Sequence, residues 1–521
     1  MRTRKLGGDL KLAVFSAAAV GLLGGCGAAQ DGADSRASVE SQQQAVAAGT
    51  VVAYEAESLT RSASSIGSKV TTEAAASGGK YVELNGTAAT GAWLEFTVPN
   101  VAAGAYDLKY LYKANNNRGI VQVSIDGVNH STCNEYAATA AYQVACVLGS
   151  KTLTAGSHQI RFTVTGKAST SSGYQLVVDQ LSLTAKSEGP CDIYAAASTP
   201  CAAAYSMVRA LSSKYAGPLY QVRNGSSANN TGSGGQTKDI GTTADGYADT
   251  AAQDSFCNGT VCTVSVLYDQ SGNRNDLTVA KRGTNAGGAH AALDDYESSA
   301  TKGAVNAGGH RVYSLYMNRY EGYRSALGVK GANVPLGSGA QGIYELADGT
   351  HVGTACCWDF GNVSTDPTKY GSANSLFFGR GFWGTGAGVG PWFMADFEAG
   401  VWAGGSNVGD PGWGGLSDSH PPNPNNPALQ VAFALGFLKT SPSQYAIRVA
   451  NAQTAATITT AYAGAPPLSL NNLGGIVLGV GADNSNNSWG TFYEGALLAG
   501  YPSDSTELAV LNNIEAVSYS N

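Results

Sequence analysis

The sequence predicts an all-β protein with two β-sandwich domains. Glycine accounts for 68 of the 521 residues, and charged residues make up only 13%. Short alternating segments are separated by turn residues, and long amphipathic helical patterns are rare. A chain of this length exceeds one ordinary domain. The net charge of -7, without a basic cluster, argues against a nucleic-acid partner.

The first 25 residues are predicted to be a lipoprotein signal peptide. After a positively charged start, the apolar stretch 12–23 is too short to span a membrane. It runs into Leu23-Gly-Gly-Cys26, which resembles a bacterial lipobox, and this resemblance implies that Cys26 is lipidated. The alternative is an ordinary secretory signal cut near Ala28 or Ala29. Both predict an exported chain, secreted or lipid-anchored to the bacterial cell envelope, in which the polar segment 26–50 is a flexible tether.

The remaining eight cysteines fall into close pairs. In an exported protein, an even set of such pairs predicts disulfides. None of the pairs has zinc-site spacing and the six histidines do not cluster, so we expect no metal or other cofactor for catalysis. The pairs are Cys133/Cys146, Cys191/Cys201, Cys257/Cys262 and Cys356/Cys357.

Residues 51–186 form the first predicted domain. Strand patterns at Val121–Ile125, Gln159–Val164 and Gln175–Leu183 are separated by turn signals, which is typical of a β-sandwich. Several motifs resemble those of carbohydrate-binding modules of families 6 and 35, and this resemblance implies a jelly-roll sandwich. The motifs are Tyr54-Glu-Ala-Glu57, Gly78-Gly-Lys-Tyr-Val82, Gly91-Ala-Trp-Leu-Glu-Phe96, Gly104-Ala-Tyr-Asp-Leu108 and Val178-Asp179.

The same resemblance implies a structural calcium ion. In such modules paired glutamates and a late aspartate commonly hold it, and by position these are Glu55, Glu57 and Asp179. Hard carboxylate oxygens suit Ca²⁺. The alternative is that these residues are surface acids at strand ends. The sequence does not indicate which face of the domain binds sugar.

Residues 187–521 form the second predicted domain. A helix is predicted from Cys201 to Tyr215, and another after Asp504-x-x-Glu507, which we interpret as a capping box. Between them lie strands and glycine-rich loops. The predicted strands include Thr263–Tyr268, Ala428–Leu435 and Ile476–Val480.

One predicted strand, Pro391–Trp402, has two unlike faces. Alternation places Phe393, Ala395, Phe397, Ala399 and Val401 on a core face. The opposite face then carries two carboxylates between large apolar and aromatic side chains, which is typical of a sugar-cleaving cleft. This opposite face consists of Trp392, Met394, Asp396, Glu398 and Trp402.

Glycoside cleavage needs two carboxyl groups, one ionised and one that donates a proton. Besides Asp396 and Glu398, the acidic candidates near the C-terminus are Asp483, in a polar turn, and Glu494. The residues alone do not choose between these last two. Six of the seven tryptophans lie between positions 358 and 489, which favours a glycan cleft in this domain.

The second domain resembles, from end to end, the catalytic domain of glycoside hydrolase family 54, the retaining α-L-arabinofuranosidases. This implies a concanavalin-like sandwich. The motifs are Gly189-Pro-Cys-Asp-Ile-Tyr194, Leu267-Tyr-Asp-Gln-Ser-Gly-Asn273, Asp348-Gly-Thr-His351, Ala355-Cys-Cys-Trp-Asp-Phe-Gly361, Gly390-Pro-Trp392, Tyr445-Ala-Ile-Arg448, Ala450-Asn451, Asp483-Asn-Ser-Asn486 and Gly490-Thr-Phe-Tyr-Glu-Gly495.

The resemblance implies a role for each matching position. Glu398 corresponds to the nucleophile and Asp483 to the general acid/base, and Asp396 is expected to contact the sugar. The bonded cysteines Cys356 and Cys357 are expected to pack against the furanose. A pocket-lining tryptophan corresponds to Trp383.

Two positions depart from the family pattern. Ala399 replaces an asparagine directly after the nucleophile, which removes a hydrogen-bond donor to the substrate. Ala482 replaces a glycine before the acid/base, and we expect its methyl group to lie beside the pocket. Both substitutions leave the chemistry intact and bear on sugar preference and rate.

The resemblance predicts a retaining, exo-acting α-L-arabinofuranosidase. It would release terminal L-arabinofuranose from arabinan or arabinoxylan side chains, with an arabinose-containing plant polysaccharide as partner and the chain as a monomer. One alternative keeps the mechanism but changes the sugar, to galactofuranose or β-xylose. Another is a non-catalytic, lipid-anchored glycan-binding protein.

Overall fold

The computed structural model describes residues 51–102, 104–186, 188–283, 293–368, 372–380, 385–398, 400–405 and 422–521. The predicted all-β fold is confirmed, because nearly all regular structure in these ranges is strand. The predicted signal peptide, Cys26 and the tether lie outside them. Nowhere in these ranges is there a helix that is long and apolar enough to cross a membrane.

The first twelve strands form three antiparallel sheets in the orders β1-β12-β6-β9, β2-β5-β10-β7-β8 and β11-β4-β3. The strands predicted at 121–125 and 159–164 are confirmed within β7 and β10, whereas the one predicted at 175–183 is divided at Asp179. The strands are β1 Val51–Glu55, β2 Thr60–Ala63, β3 Ser68–Thr72, β4 Lys80–Leu84, β5 Trp93–Val101, β6 Gly104–Ala114, β7 Ile120–Ile125, β8 Val128–Asn134, β9 Ala141–Leu153, β10 Gly156–Gly166, β11 Val177–Val178 and β12 Gln180–Ala185.

These sheets enclose a hydrophobic core of their own. Tyr110 on β6 packs against Phe162 on β10 with ring centroids 4.8 Å apart, so side chains of two different sheets meet in it. Leu94, Val123 and Ile160 are fully buried there. Face-to-face packing of two sheets over one apolar layer is the arrangement of a β-sandwich.

The remaining strands form two large sheets and two short pairs. The large sheets have the orders β13-β33-β22-β29-β30-β31, with β20 also paired to β33, and β15-β14-β16-β17-β21-β32-β23-β24-β26-β27. The strands are β13 Cys201–Ser206, β14 Tyr220–Asn224, β15 Gln236–Ile240, β16 Cys262–Leu267, β17 Leu277–Val279, β18 Ala304–Ala307, β19 His310–Tyr313, β20 Leu315–Met317, β21 Tyr323–Arg324, β22 Gln341–Val352, β23 Asp359–Val363, β24 Ala373–Gly379, β25 Gly386–Ala387, β26 Trp392–Asp396, β27 Val401–Trp402, β28 Asn423–Pro427, β29 Ala434–Thr440, β30 Tyr445–Asn451, β31 Thr459–Gly464, β32 Gly475–Leu478 and β33 Gly490–Ala499.

A second hydrophobic core lies between the two large sheets. Phe360 on β23 packs against Phe492 on β33 across this space, with ring centroids 5.5 Å apart. The predicted strands at 263–268 and 476–480 are confirmed in β16 and β32. The one predicted at 428–435 is wrong for its first six residues, because β29 begins at Ala434.

The helices are α1 Pro190–Ala196, α2 Thr250–Cys257 and α3 Asp504–Ala516. The helix predicted from Cys201 to Tyr215 is wrong, since that stretch begins with β13. The C-terminal helix is confirmed, but its N-cap is Ser503, whose side chain accepts a hydrogen bond from the Thr506 N–H. Glu507 is therefore not part of a capping box, and its carboxylate is buried against Lys439 and Arg448.

The four predicted disulfides are present. They join Cys133 to Cys146, Cys191 to Cys201, Cys257 to Cys262 and Cys356 to Cys357. The first lies in the N-terminal sandwich. The other three lie in the C-terminal one, and the last of them is at the site described below.

Candidate active site

The segment that carries Glu398 is a hairpin, not one strand. Strand β26 ends at Asp396, and β27 returns antiparallel with Ala395 opposite Trp402 and Asp396 opposite Val401. The prediction of a continuous strand from Pro391 to Trp402 is therefore wrong. Glu398 lies in the turn with a backbone φ of 68°, a conformation that non-glycine residues rarely adopt and that is found at functional sites.

The hairpin also corrects which side chains share a face. Phe393, Ala395 and Phe397 pack into the core between the large sheets, as predicted. Because the chain reverses, Trp402 joins that core, and Val401 lies on the opposite face. That opposite face, which we call the cleft face, contains Trp392, Met394, Phe377 and Cys357 around Asp396.

Asp396 links the turn to the disulfide. Its Oδ1 accepts a hydrogen bond of 2.6 Å from the Glu398 N–H, and its Oδ2 lies 3.6 Å from Cys357 Sγ. Burial is the main cause that raises the pKa of Asp396 above its ordinary value, and the Glu398 N–H partly opposes it. The carboxylate therefore fixes the backbone of the turn and contacts the disulfide surface.

The disulfide is bonded to the loop that carries Asp483. The Cys357 N–H donates to Ser485 O and the Asn487 N–H donates to Cys356 O, each at 3.2 Å. Within the described part of the chain, Cys356, Cys357 and Asp396 are the only three potential metal ligands within 4.8 Å of one another. Because the two sulfurs are bonded to each other, we do not interpret this group as a metal site.

Asp483 is half-buried in a tight polar loop. Its Oδ1 accepts hydrogen bonds from Ser485 N–H at 2.8 Å and from Ser485 Oγ at 2.6 Å. The Gly481 N–H closes the loop by donating to Ser485 O at 2.9 Å. One oxygen of Asp483 is thus held by the loop itself, which leaves Oδ2 for other partners.

Ala482 presents its backbone to the site. Its side chain is buried in a small apolar cluster with Val363, Val477 and Val480, so the expectation that its methyl group lies beside the pocket is wrong. Its N–H donates to the Glu398 carboxylate, and its carbonyl accepts from Arg324. The peptide next to Asp483 therefore connects to Glu398.

Sequence reasoning missed Arg324, a buried cation on β21. Its Nη1 donates to Ala482 O at 2.9 Å, and its Nη2 donates to Ser364 O. Burial lowers the pKa of Arg324 to about 10, and the negative charges of Glu398, Asp366 and Asp483 oppose that shift. No nearby sequence motif singles it out, because its contacts are all distant in sequence.

Several carboxyl groups compete for this one cation. Burial, followed by the negative charges of Asp396 and Asp483, raises the pKa of Glu398 to about 9, and Arg324 and the Ala482 N–H only partly offset this. A carboxyl group in such a site binds a proton readily when no substrate is present. Ionised Glu398 therefore depends on the positive charge of Arg324.

Asp359, at the start of β23, was also missed by sequence reasoning. It is fully buried, and no N–H or O–H group of the described chain donates to either of its oxygens. Burial and the neighbouring charges of Asp396 and Glu398 raise its pKa well above the ordinary value. A buried, undonated carboxyl group beside two others is stable only as the neutral acid.

The structure distinguishes Asp483 from Glu494, the other candidate for the second catalytic carboxyl group. Glu494 is completely buried on β33, where Arg209 donates two hydrogen bonds to its oxygens at 2.7 and 2.8 Å. The Tyr519 hydroxyl donates a third at 2.7 Å. All these contacts are internal, so Glu494 is a structural ion-pair partner and does not reach the cleft face.

The tryptophans that the structure describes contribute less to the cleft than expected. Of those that the structure describes, Trp358, Trp392 and Trp402 are buried in packing contacts, and only Trp93 and Trp489 are partly exposed. The predicted pocket residues Trp383 and Ala399 lie outside the described residues. Among the described residues, the cleft face therefore keeps its definition of Trp392, Met394, Phe377 and Cys357 around Asp396.

The three acids predicted to bind calcium do lie around one turn. Glu55 Oε1 accepts from Ser77 Oγ at 2.8 Å, and Asp179 Oδ2 accepts from the Ser77 N–H at 3.1 Å. A Cβ atom added at Gly78 would lie 3.2 Å from the carboxylate oxygens of both Glu55 and Glu57.

The donor set fits a hard cation. One buried oxygen of each of these three carboxylates accepts no hydrogen bond from the described chain. Burial and the charges of Glu55 and Glu57 raise the pKa of Asp179 to about 6. The carboxylate oxygens of these three residues do not all lie within 4.8 Å of one another. Unpaired buried carboxylate oxygens are nevertheless the ligands that Ca²⁺ prefers.

Residues 190–520 match the family described as "Alpha-L-arabinofuranosidase B, catalytic". The chain belongs to this family. The match covers well over half of the chain and contains Glu398, Asp483, the adjacent cysteines and Arg324. The predicted relationship of the second domain to glycoside hydrolase family 54 is thereby confirmed.

Individual relatives agree with this assignment to the arabinofuranosidase B family. The chain is 41% identical over 342 residues to an "Alpha-L-arabinofuranosidase" of Hypocrea jecorina, covering 64% of this chain and 63% of the relative. It is 41% identical over 342 residues to an "Arabinofuranosidase/B-xylosidase" of Trichoderma koningii, with the same coverage. The chain thus spans slightly less than two thirds of these curated relatives.

A solved structure supports the fold of the same region. It is a crystal structure of arabinofuranosidase complexed with arabinofuranosyl-alpha-1,2-xylobiose, with a TM-score of 0.57 and 38% identity. The alignment covers 64% of this chain and 65% of that one. The C-terminal sandwich therefore has the fold of that arabinofuranosidase.

Proposed function

We propose that this protein is a retaining, exo-acting α-L-arabinofuranosidase that releases terminal L-arabinofuranose from arabinan or arabinoxylan. The observation that carries the proposal is that the peptide of Ala482, directly before Asp483, donates to the Glu398 carboxylate and accepts from Arg324. Two carboxyl groups from distant segments thus share one buried site, as glycoside cleavage requires. The named activities of the relatives support the choice of sugar.

The reaction proceeds in two steps. In the first, Glu398 attacks the anomeric carbon while Asp483 donates a proton to the departing oxygen, which breaks the glycosidic bond. In the second, Asp483 takes a proton from water, and the resulting hydroxide displaces Glu398 from the sugar. The two displacements together retain the anomeric configuration.

The surrounding residues support each role. Arg324 stabilises the negative charge that Glu398 needs for attack. Asp396 holds the Glu398 backbone and can accept a hydrogen bond from a sugar hydroxyl. The Cys356–Cys357 disulfide offers a polarisable apolar surface to one face of the furanose ring.

The nucleophile is tested by replacing Glu398 with glutamine. Loss of the attacking oxygen should lower kcat on 4-nitrophenyl α-L-arabinofuranoside by at least about a thousandfold. The matched control is Glu83→Gln in the N-terminal sandwich, which should keep wild-type kcat. A Glu398→Gln enzyme that retains wild-type kcat would contradict the assignment.

The acid/base is tested by azide rescue of Asp483→Asn. With a good leaving group the first step needs little acid, so the glycosyl-enzyme accumulates because no base activates water. Azide attacks without a base, and we expect it to restore turnover and yield the retained arabinofuranosyl azide. No rescue, with an intact fold by circular dichroism, would remove Asp483 from this role.

A β-xylosidase activity of the same site is the second candidate. It is favoured by the relative named "Arabinofuranosidase/B-xylosidase". A panel of aryl furanosides and pyranosides, including galactofuranoside, decides between the sugars. A wild-type protein that binds glycans but is inert on the whole panel would support the non-catalytic reading.

We further propose that the N-terminal sandwich is a carbohydrate-binding module that holds a structural calcium ion with Glu55, Glu57 and Asp179. Its unpaired buried carboxylate oxygens support the ion. Ca²⁺ should raise the melting temperature of wild-type protein, because a ligand of the folded state stabilises it. The triple change of these acids to their amides should abolish that shift.

The proposed location is outside the cytoplasm, through a signal peptide and a lipid on Cys26. The four disulfides support export. Mass spectrometry of membrane-extracted protein should find a lipidated Cys26 at the new N-terminus. Cys26→Ala should release active protein into the medium if the lipid is the anchor.

A further inference from the structure

The loop that carries Asp483 rests on a buried aspartate, Asp295. Asp295 is completely buried, and its Oδ1 accepts hydrogen bonds from Asn484 Nδ2 at 3.0 Å and from Asn486 Nδ2 at 2.6 Å. These two asparagines flank Ser485, whose N–H and hydroxyl hold the Asp483 carboxylate. One oxygen of Asp295 thus binds the side chains of Asn484 and Asn486, which lie on either side of Ser485, the residue that orients Asp483.

Arg324 holds the same loop from its other end. Its Nη1 donates to Ala482 O, one residue before Asp483. The segments that carry Asp295 and Arg324 are joined through Ala280. Its carbonyl accepts a hydrogen bond from the Asp295 N–H, and its N–H donates to Gly322 O. A Cβ atom at Gly322, two residues before Arg324, would lie 2.5 Å from Asp295 Oδ2, so this close approach requires glycine.

The loop 482–486 needs hydrogen bonds from other segments, such as those of Asp295 and Arg324, to hold its conformation. It has no regular secondary structure between Leu478 and Gly490, and Asn484 has a φ of 67°, the left-handed region that asparagine tolerates. Burying a carboxyl group and a guanidinium group costs free energy that well-packed apolar residues would not. Two buried polar side chains whose hydrogen bonds converge on one loop are therefore better explained by positioning than by stability.

We propose that Asp295 and Arg324 are positioning residues that hold the loop 482–486 so that Asp483 is aligned with the departing oxygen. This inference rests on the proposed function, in which Asp483 is the general acid. Neither residue needs to touch the substrate. A catalytic group displaced by a fraction of an ångström loses much of its effect, so loosening the loop should weaken acid catalysis selectively.

The test is the dependence of rate on the leaving group, because only a poor leaving group needs the acid. The two substrates are 4-nitrophenyl α-L-arabinofuranoside and arabinofuranosyl-α-1,2-xylobiose. Asp295→Ala should lower kcat/KM for the xylobioside by about a hundredfold, at the lower end of what a general acid contributes. The value for the nitrophenyl substrate should fall by less than about fivefold.

Two further variants distinguish this role from general damage. Asp295→Asn keeps one oxygen that can accept both bonds, so it should restore the ratio of the two kcat/KM values to within about threefold of wild type. Asn486→Ala removes the 2.6 Å bond from the loop side and should reproduce the Asp295→Ala ratio. This variant also covers the case in which Asp295→Ala fails to fold.

Asp269 provides the matched control. It is also a buried aspartate that shapes a loop, accepting from Ala204 N–H at 2.9 Å, Ser271 N–H at 2.8 Å and Asn275 N–H at 3.0 Å. Asp269→Ala should lower the melting temperature and leave the kcat/KM ratio unchanged.

Equal losses on both substrates in Asp295→Ala, or the same ratio in Asp295→Ala and Asp269→Ala, would overturn the positioning role. A wild-type enzyme that cleaves neither substrate would instead overturn the proposed function. The two failures are thus distinguishable in one set of measurements.

Discussion

At the scale of single residues, the site contains three carboxyl groups, Asp359, Asp396 and Glu398, whose pKa values are raised mainly by burial but whose hydrogen-bond partners differ. Asp396 accepts the Glu398 N–H, and the charge of Arg324 lowers the pKa of Glu398 against the effect of burial. Asp359 receives no donor from any described residue. Hydrogen bonds to a carboxylate favour its ionised form, and burial without them favours the acid. The same side-chain type can therefore serve different purposes within one cleft.

Substitutions of Asp359 test whether burial keeps this carboxyl group protonated. If it is a neutral acid, Asp359→Asn replaces it with a neutral group of the same shape. We expect a melting temperature within about 2 °C of wild type and kcat within about fivefold, because no charged interaction is lost. Asp359→Leu should cost more activity, because it places an apolar side chain of different shape beside Asp396 and Glu398. The measurements are thermal unfolding and kcat on the nitrophenyl substrate.

The opposite pattern would mean that Asp359 ionises during the reaction. Asp359→Asn would then have an unchanged melting temperature but would lose nearly all activity. Glu345, which also raises the pKa of Asp359, offers a control. It is fully buried and accepts a hydrogen bond from Trp358 Nε1 at 2.9 Å, so Glu345→Gln should keep both the fold and the activity.

At the scale of elements, alternation in the sequence predicted the two faces of β26 through Asp396 but not the turn that follows. Local patterns could not show that the chain reverses between Asp396 and Val401, since Gly400 is the only turn-forming residue type between them. The turn moves Trp402 to the core and places the partly buried Glu398 between the two strands of the hairpin. The motif match identified Glu398 in spite of this, because it did not depend on the backbone conformation.

Other errors of the sequence-based prediction also arise because local patterns do not show long-range contacts. The stretch 201–215 has Tyr205, Val208 and Leu211 at helical spacing, yet it begins with β13, because the partner strand β33 lies almost three hundred residues away. Glu507 fits a capping box locally, but Lys439 and Arg448 bind its carboxylate from the neighbouring strands. Arg324 and Asp295 were missed for that reason too. Their roles come only from long-range contacts.

At the scale of the whole molecule, buried carboxyl groups make stability depend on pH. Burial raises the pKa of Glu135, in the N-terminal sandwich, to about 8, and that of Glu345, in the C-terminal sandwich, also to about 8. Asp295 is raised to about 7. In the unfolded chain the pKa values of these groups are close to ordinary. Between that pKa and the raised pKa of the folded protein, the folded state therefore binds more protons than the unfolded state.

The sign of the effect follows. Where the folded state binds more protons, the free energy of unfolding falls as pH rises. The stabilising effect of these acids is therefore complete at about pH 4 and is lost progressively up to about pH 8. His130 and His351, whose pKa values are lowered mainly by burial, act in the opposite direction below about pH 6.5, but the raised carboxyl groups outnumber them.

We therefore expect the protein to melt at least about 5 °C higher at pH 5 than at pH 8, since each such proton changes the free energy of unfolding by about 1.4 kcal/mol per pH unit. Calorimetry at both pH values measures this. Glu345→Gln should flatten the dependence of the C-terminal transition and Glu135→Gln that of the N-terminal one, because an amide does not titrate. A wild-type melting temperature that rises from pH 5 to pH 8 would mean that these buried groups are ionised in the folded protein.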